Sequence, residues 1–328
     1  MHLYYNDSKN ASFWFAAEDY IMRVLQPDEP VLMLWSTEDT VMVGANQVIE
    51  TECDVEYAQA EGIEVIRRSS GGGAIFTDEG TLQVTVILPY DDLDPKTVAR
   101  EWIADPVVAA LASCGVSAHA KGRNDILIDG NKVSGIAQYI SGGYICTHCS
   151  LLLETDLKKL ASSLTTDRAK FATKAIPSKG SRVANIIEYI PGKDIQSFFS
   201  ALAKSYGRKE EIQNRAFESD DLAQIETIVW DKYLDPGWLF GREPAFTFTN
   251  KKSFPGGTIE VFLDIKGGVI NEAKITGDFL SLLPVSELER KLVGTAHRAD
   301  ELKEVLDTVK LKLYLGKIKS ADFMEVLL

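Results

Sequence analysis

The sequence predicts an α+β protein: a mixed or antiparallel sheet flanked by helices, followed by a small second α+β unit. Three observations predict it. Strand-like and helix-like segments alternate without the strand–helix–strand rhythm of a doubly wound parallel sheet. The composition turns to Pro, Gly and aromatics at DPGWLFGREPAFTFTNKKSFPGG, residues 235–257, which separates residues 1–245 from residues 250–328. A length of 328 residues with 45 % apolar content suits about two domains, each with a core.

The elements follow in order. Residues 11–25, ASFWFAAEDYIMRVL, place apolar side chains at helical spacing, with Asn10 or Ser12 as cap. VLMLW (31–35) and TVMVGA (40–45) read as a hairpin around Ser36-Thr37-Glu38-Asp39. DVEYAQAEG is a short helix ending at Gly62, and IEVIRR (63–68) is the next strand. TLQVTVILP alternates and stops at Pro89, as a strand does. Residues 94–115 look helical, with an interruption at Pro106. NDILI (124–128) and KVSGIAQYI (132–140) flank Asp129-Gly130-Asn131, and Asp-Gly is a strong hairpin signal. YICTHCSLLLE (144–154) is a further strand, and helices follow at 156–164, 194–207 and 220–233. The remainder reads strand, strand, helix, helix, a compact unit of about 75 residues.

Bulk properties exclude several classes. No apolar run approaches the roughly 18 residues of a membrane span. MHLYYNDSKN has neither a basic n-region nor an apolar h-region, so a soluble, cytoplasmic protein is expected. A net charge of −13 opposes a long polyanion, so neither nucleic acid nor membrane is an expected partner, while a local basic pocket still admits small anions. Cys146 and Cys149 have C-x-x-C spacing but no second ligand pair, which favours a buried structural role. There is no H-E-x-x-H and no G-x-S-x-G.

Two stretches carry chemistry. In RRSSGGGAIFTDEG (67–80) three adjacent glycines remove every Cβ, so backbone N–H groups can approach a ligand and take positive φ. Such donors beside arginine suit a phosphate or carboxylate. Arg67 and Arg68 alternate on a strand, so one faces the ligand, taken as Arg68; Ser70 offers a hydroxyl, and Gly73, Ala74, Ile75 and Phe76 present backbone. In KGRNDILIDGNKVSGIAQ (121–138), an Asp129-Gly130 turn puts Asp125, Lys132 and Ser134 on one face. Asp125 suits Mg²⁺, Lys132 suits a carboxylate or α-phosphate, and Gly135 lets a ligand ring lie close. A plain Gly/Ser turn and a solvated Lys–Asp pair are the alternatives from these residues alone.

Together the two stretches resemble the lipoate–protein ligase A (LplA) family. RRSSGGGAIFTDEG is similar to its R-R-x-S-G-G-G-A-V-[FY]-H-D-x-G signature, and GRNDILIDGNKVSGIAQ to its G-R-N-D-[IL]…G-x-K-[IV]-S-G-x-A. THCSLLLETDLKKLA and SKGSRVANI resemble two further family motifs, in the same order, so that the likeness spans about residues 10–240. The resemblance implies a biotin/lipoyl protein ligase, class II synthetase-like catalytic domain with an accessory domain that reorients during the cycle. It implies that lipoate and MgATP form lipoyl-adenylate, and that a lysine of an acceptor then takes the lipoyl group. The acceptor would be an E2 lipoyl domain or a glycine-cleavage H-like protein, and the enzyme a monomer. By motif position, Arg68, Gly73, Ala74, Ile75, Phe76 and Lys132 would hold ATP or the adenylate, with Lys132 catalytic and in contact with the lipoate carboxylate. Ser70 and Gly71 would line the lipoyl slot, and Asn124 and Asp125 would serve phosphate and Mg²⁺. Thr77, Asp78, Ser134, Gly135 and Ala137 complete the candidate site. By side-chain type, Trp35, Val41, Val43 and Ile75 are candidates for an apolar slot.

The chain departs from the family pattern at Thr77 and Thr81, where His and Asn are usual, and at His148-Cys149-Ser150, where H-H-G is usual. The first two departures suggest a narrow acceptor choice. Biotin ligases resemble only the loop. An ATP-independent lipoyl or octanoyl transferase using Cys146 or Cys149, and a non-catalytic paralogue, are the alternatives. Lys170, Lys174, Lys179 and Arg182 form a basic island suited to an acidic acceptor or to phosphates.

Overall fold

In the computed structural model, residues 1–47, 49–121, 124–165, 183–207, 211–239, 247–266 and 268–328 are described, apart from the side chains of residues 50, 51 and 193. Lys170, Lys174, Lys179 and Arg182 lie outside them. The strands of the N-terminal part are β1 (His2–Tyr5), β2 (Val31–Trp35), β3 (Thr40–Val43), β4 (Glu64–Arg67), β5 (Ile75–Thr77), β6 (Thr81–Pro89), β7 (Ala118–Lys121), β8 (Asp125–Ile128), β9 (Asn131–Ser141), β10 (Tyr144–Leu152) and β11 (Gln213–Ala216). An 8-stranded sheet runs β11-β1-β2-β6-β10-β9-β8-β7. Its β11, β1 and β2 are parallel, and the pairs from β2 to β7 are antiparallel. This is the mixed sheet that the sequence predicts.

Both faces of this sheet are covered, and the strand period of two assigns the residues. Leu32, Leu82, Val84, Val86, Leu88, Ile145, Cys149 and Leu151 pack with the helical segments 95–113 and 195–207. Val31, Met33, Trp35, Ile87 and Cys146 pack on the other face with the segments 11–25 and 219–233. Cys146 and Cys149 therefore point to opposite faces of β10, and C-x-x-C spacing on a strand cannot bring them to one metal. The segment around Pro106 does not break. A wider π turn over Arg100–Ala104 leads into Asp105–Ser113, which accommodates the missing proline N–H.

The expected hairpin of β2 with β3 does not form. The edges of β2 are taken by β1 and β6, whereas β3 pairs with β4 in parallel and β5 in antiparallel fashion in a second, 3-stranded sheet. Residues 36–39 thus carry the chain between sheets. This small sheet packs its Val41, Val43 and Phe76 on the helices Val55–Ala60 and Leu157–Ser163. It suspends the glycine loop, residues 68–74, between β4 and β5.

Residues 247–328 build their own core. An antiparallel meander of β12 (Phe248–Phe254), β13 (Gly257–Lys266) and β14 (Val269–Gly277) buries Ile259, Val261, Leu263 and Ile275 against the helices Val285–Leu292, Ala299–Asp307 and Ser320–Leu327. β12, which joins this sheet, falls inside the composition shift at residues 235–257. The unit meets the rest of the chain through backbone: Gly72 N donates to Phe279 O (3.1 Å), Gly277 N to Asn46 O (2.8 Å) and Ile140 N to Leu282 O (2.7 Å).

Gly80 tests the junction of β6 with β10. Its carbonyl accepts from Leu153 N (3.1 Å) and Glu154 N (2.9 Å), and a Cβ there would lie 2.2 Å from Glu154 O. Gly80→Ala is expected to cost about 1–3 kcal/mol through forced backbone displacement, measured as a lowered urea midpoint. An unchanged midpoint contradicts the packing.

Candidate active site

The bare backbone of Gly71, Gly72 and Gly73 is held by the arginine beside it. Arg68 Nη2 donates to Gly71 O (2.9 Å) and Gly73 O (2.7 Å), Nη1 to Met42 O (2.9 Å), and Nε to Ser70 Oγ (3.1 Å). Its guanidinium is buried, and burial together with neighbouring Arg67 lowers its pKa to about 10, so it is charged at neutral pH. Arg67 points the other way, to the carbonyls of Gly44, Ala45, Gln47, Trp238 and Leu239. With its carbonyls tied behind it and Gly72 N donated to Phe279 O, the loop presents its backbone to the cavity at Gly73 and Ala74. Gly72 has φ +96°, and a Cβ on Gly44 would sit 2.1 Å from Gly72 O, so two strands of bare backbone pass in contact.

The hairpin of β8 and β9 forms the opposite wall. Asp129 and Gly130 have φ of 49° and 81°, the left-handed pair of a type I′ turn. Lys132 Nζ lies 2.8 Å from Asp125 Oδ1, with both side chains about one-third exposed. The pairing differs from the simple hairpin register. A bulge between Ile126 and Leu127 pairs Asp125 with Gly135 and Ile126 with Ser134, which turns Ser134 into the interior. The Lys132 ammonium instead lies over Gly135, where a Cβ would sit 3.3 Å from Nζ. Ala184 N donates to Lys132 O (3.0 Å), so Val183 and Ala184 brace this residue.

Loop and hairpin enclose one cavity of about 580 Å³. Of the sequence-predicted residues, Arg68, Gly73, Ala74, Ile75, Asn124, Asp125, Lys132, Gly135 and Ala137 line it. Ser70, Gly71, Phe76, Thr77, Asp78 and Ser134 are not among its lining residues. Ser70 supports the loop from behind, and Gly71 faces the C-terminal unit, where a Cβ would lie 2.8 Å from Ser281 N. Phe76 belongs to the small sheet's core. Thr77 Oγ1 meets Thr37 Oγ1 (2.8 Å), while Asp78 accepts from Asp156 N (2.7 Å) and Thr81 Oγ1 (2.9 Å). The departures at Thr77 and Thr81 are thus buried hydroxyl contacts behind the loop. The apolar end of the cavity is Phe15, Trp35, Met42 and Ile75. Val41 and Val43 point to the other face of β3, opposite Met42, and join a separate core.

Sequence reasoning missed a buried polar cluster at this apolar end. Ser70 Oγ lies 2.6 Å from His148 Nε2, and His148 Nδ1 lies 3.1 Å from Glu18 Oε1. Glu18, with no exposed surface, also accepts from Thr85 Oγ1 (2.9 Å) and Tyr139 OH (3.2 Å). Arg68 Nε can only donate to Ser70, so with a neutral ring Ser70 donates to Nε2 and Nδ1 carries the proton toward Glu18. Three donors compensate a carboxylate that burial would otherwise penalise. Burial, then Glu18, raises the Tyr139 phenol well above its ordinary range. The available signal was Glu18-Asp19 inside an apolar helix stripe, and Gln83 and Thr85 on the alternate positions of an otherwise apolar strand.

A family model for the lipoyl protein ligase A/B catalytic domain matches residues 10–207, and one for the bacterial lipoate protein ligase C-terminus matches residues 243–327. The chain belongs to the lipoate–protein ligase family. It is similar to lipoate-protein ligase LplJ of Bacillus subtilis, 34 % identical over 316 residues and 95 % of each chain. Among solved structures, P. falciparum LipL1 in complex with lipoate shares the fold (TM-score 0.77, 19 % identity, 99 % of this chain and 97 % of that one). The bi-partite lipoate protein ligase of Thermoplasma acidophilum, described with its E2 lipoyl domain, has a TM-score of 0.64 at 28 % identity, over 75 % of this chain and 98 % of that one. A lipoate-protein ligase A bound with ATP has a TM-score of 0.63 at 26 % identity, over 73 % and 98 %.

Cys149 lines the cavity, but burial disfavours the thiolate that acyl transfer through either cysteine would need. Burial pushes Cys149 up to about 12 and Cys146 well above its usual value. The reactive thiolate of Cys149 would appear only as pH rises toward 12, so the thiol is protonated under working conditions. Iodoacetamide at about pH 8 is expected to leave both cysteines of the folded ligase unmodified, and Cys149→Ala to keep its ATP-dependent turnover. Peptide mass mapping with a pyrophosphate assay checks both; loss of turnover in the variant would favour a thioester route.

Proposed function

We propose that this ligase activates lipoate with ATP to lipoyl-AMP and transfers the lipoyl group to a lysine of an acceptor protein. The observation that carries the proposal is the shared cavity: an ammonium, a constrained glycine backbone and an apolar end meet in one space.

The residues divide the work by chemistry. Phe15, Trp35, Met42 and Ile75 suit the apolar tail and dithiolane of lipoate. That leaves its carboxylate toward Lys132, while the Gly73–Ile75 backbone meets the nucleotide. A carboxylate oxygen attacks the α-phosphorus, the bond to the bridging oxygen breaks, and pyrophosphate leaves with the electron pair. Two anions must approach for this, so the Lys132 ammonium and fixed N–H dipoles lower the barrier most. Attack by the acceptor's ε-amine on the acyl carbon then releases AMP. No covalent enzyme intermediate is needed, in keeping with the protonated thiols. Asp125 and Asn124 line the cavity beside Lys132 with hard oxygen donors of the kind Mg²⁺ takes together with phosphate, so they would hold that ion, which would neutralise phosphate charge. The acceptor class is an E2 lipoyl domain or an H-like protein, and the enzyme acts as a cytoplasmic monomer. No helix among the described residues is long and apolar enough to cross a membrane.

Mass spectrometry of an apo lipoyl domain and an apo H-like protein, each incubated with enzyme, lipoate or octanoate, and MgATP, tests the reading. One lipoyl amide on at least one acceptor is expected, only with ATP. Preference for one acceptor supports a narrow choice, and equal rates end that idea. Lys132→Ala is expected to lower lipoate-dependent pyrophosphate release by at least ~10²-fold, the scale of removing one transition-state donor. Near-normal release by a folded variant contradicts the assignment.

A further inference from the structure

The cavity has a second wall that the catalytic residues do not explain. On β12, Thr249, Lys251 and Ser253 alternate with the more buried Asn250, Lys252 and Phe254. On β13, Thr258 and Glu260 alternate with the core residues Ile259 and Val261. One face of the C-terminal sheet therefore packs on its own helices. The other brings Lys251, Ser253, Thr258, Glu260 and Thr276 onto the cavity that Lys132 and the glycine loop line.

This wall is an ammonium surrounded by hydroxyls. Ser253 Oγ lies 3.0 Å from Thr258 Oγ1. Lys251 stands opposite Glu260 in the sheet, with Nζ 3.3 Å from Oε2 and its side chain 57 % exposed. An ion pair that exposed is worth little, so the ammonium can leave it for a stronger, charge-assisted partner. Asp278 is already committed, accepting from Thr258 N at 2.5 Å. The catalytic domain needs such a wall. Among the described residues it lines the cavity with two cationic side chains, and Arg68 spends its donors on Met42, Gly71, Gly73 and Ser70. Among the described residues of that domain, Lys132 is then the cation left to face a carboxylate and a polyphosphate.

We propose that Lys251, with the hydroxyls of Ser253, Thr258 and Thr276, binds the β- and γ-phosphates of ATP and takes the charge that develops on departing pyrophosphate. The proposal rests on the ligase reading above. It makes adenylation depend on a cation from the C-terminal unit. Transfer starts from lipoyl-AMP, which has no β- or γ-phosphate to hold, so it is indifferent to that cation.

The test uses full-length enzyme. Lipoate-dependent pyrophosphate release is titrated with MgATP for wild type, Lys251→Ala, Lys251→Arg and the double variant Lys251→Ala/Glu260→Gln. Transfer to an apo lipoyl domain is measured separately from supplied lipoyl-AMP. Lys251→Ala is expected to lose about 10- to 100-fold in kcat/KM for ATP, the scale of one charge-assisted contact. Its transfer rate and lipoate KM should stay unchanged, and Lys251→Arg should keep most of the activity. The double variant is expected to stay impaired; its recovery would mean that the bared Glu260 carboxylate caused the loss, and would overturn the proposal. Wild-type ATP dependence in Lys251→Ala, or a parallel fall in transfer, would also overturn it. Wild-type enzyme that releases no pyrophosphate with lipoate would instead defeat the ligase reading itself.

Discussion

The structure depends on one buried cation. Arg68 gathers the carbonyls of Met42, Gly71 and Gly73 and the hydroxyl of Ser70 around a single guanidinium. A run of three glycines has more conformational freedom to lose than any other tripeptide, and nothing in its own side chains selects one loop shape. A planar fork with fixed donor directions selects it instead. The charge that the sequence offers to a ligand therefore acts on the protein itself, by fixing the loop backbone beside the cavity. A lysine here would keep the charge and lose the geometry, because a single ammonium cannot serve four acceptors spread along the fork.

The same loop is tied on its other sides. Ser70 connects it to His148 and the buried Glu18, which lie against the apolar end of the cavity. Arg67 secures the strand before it to the carbonyls of Trp238 and Leu239, and Trp238 Nε1 returns a bond to Arg67 O (3.0 Å). His148 is thus two hydrogen bonds from Arg68, through Ser70, so the polar cluster at the apolar end and the glycine loop share contacts.

How legible this was in the sequence varies with the physical origin of each feature. The mixed sheet was readable because strand period and turn chemistry are local: Asp129-Gly130 forms its turn, and β6 alternates to Pro89. The β2–β3 pairing was not, because a short loop between two apolar strands looks the same whether the chain turns back or crosses to a second sheet. The bulge at Ile126/Leu127 carries no residue signature either, and it moved Ser134 inside while leaving Asp125 and Lys132 together. Side chains proposed for chemistry, Lys132 and Asp125, were visible by type. Side chains whose work is to support others, such as Glu18 and His148, were hidden in apolar periodicity, since a buried acid satisfied by partners distant in sequence looks like an exception on a helix face.

The triple glycine has two clients, and they constrain different members of it. Gly73 has open space where a Cβ would point and lines the cavity, so the ligand side sets its backbone. Gly71 has no such space: a Cβ there would fall within 2.9 Å of Phe279 O and 2.8 Å of Ser281 N, both from the C-terminal unit. Gly72 lies between them, donating to Phe279 O while its own carbonyl presses on Gly44. A side chain at residue 71 would push the two units apart without touching the cavity. One at residue 73 would crowd the cavity without touching the interface. The motif therefore joins the cavity to the domain contact within three residues, and any ligand that moves the backbone of Gly72 must also strain or release a hydrogen bond to the second unit.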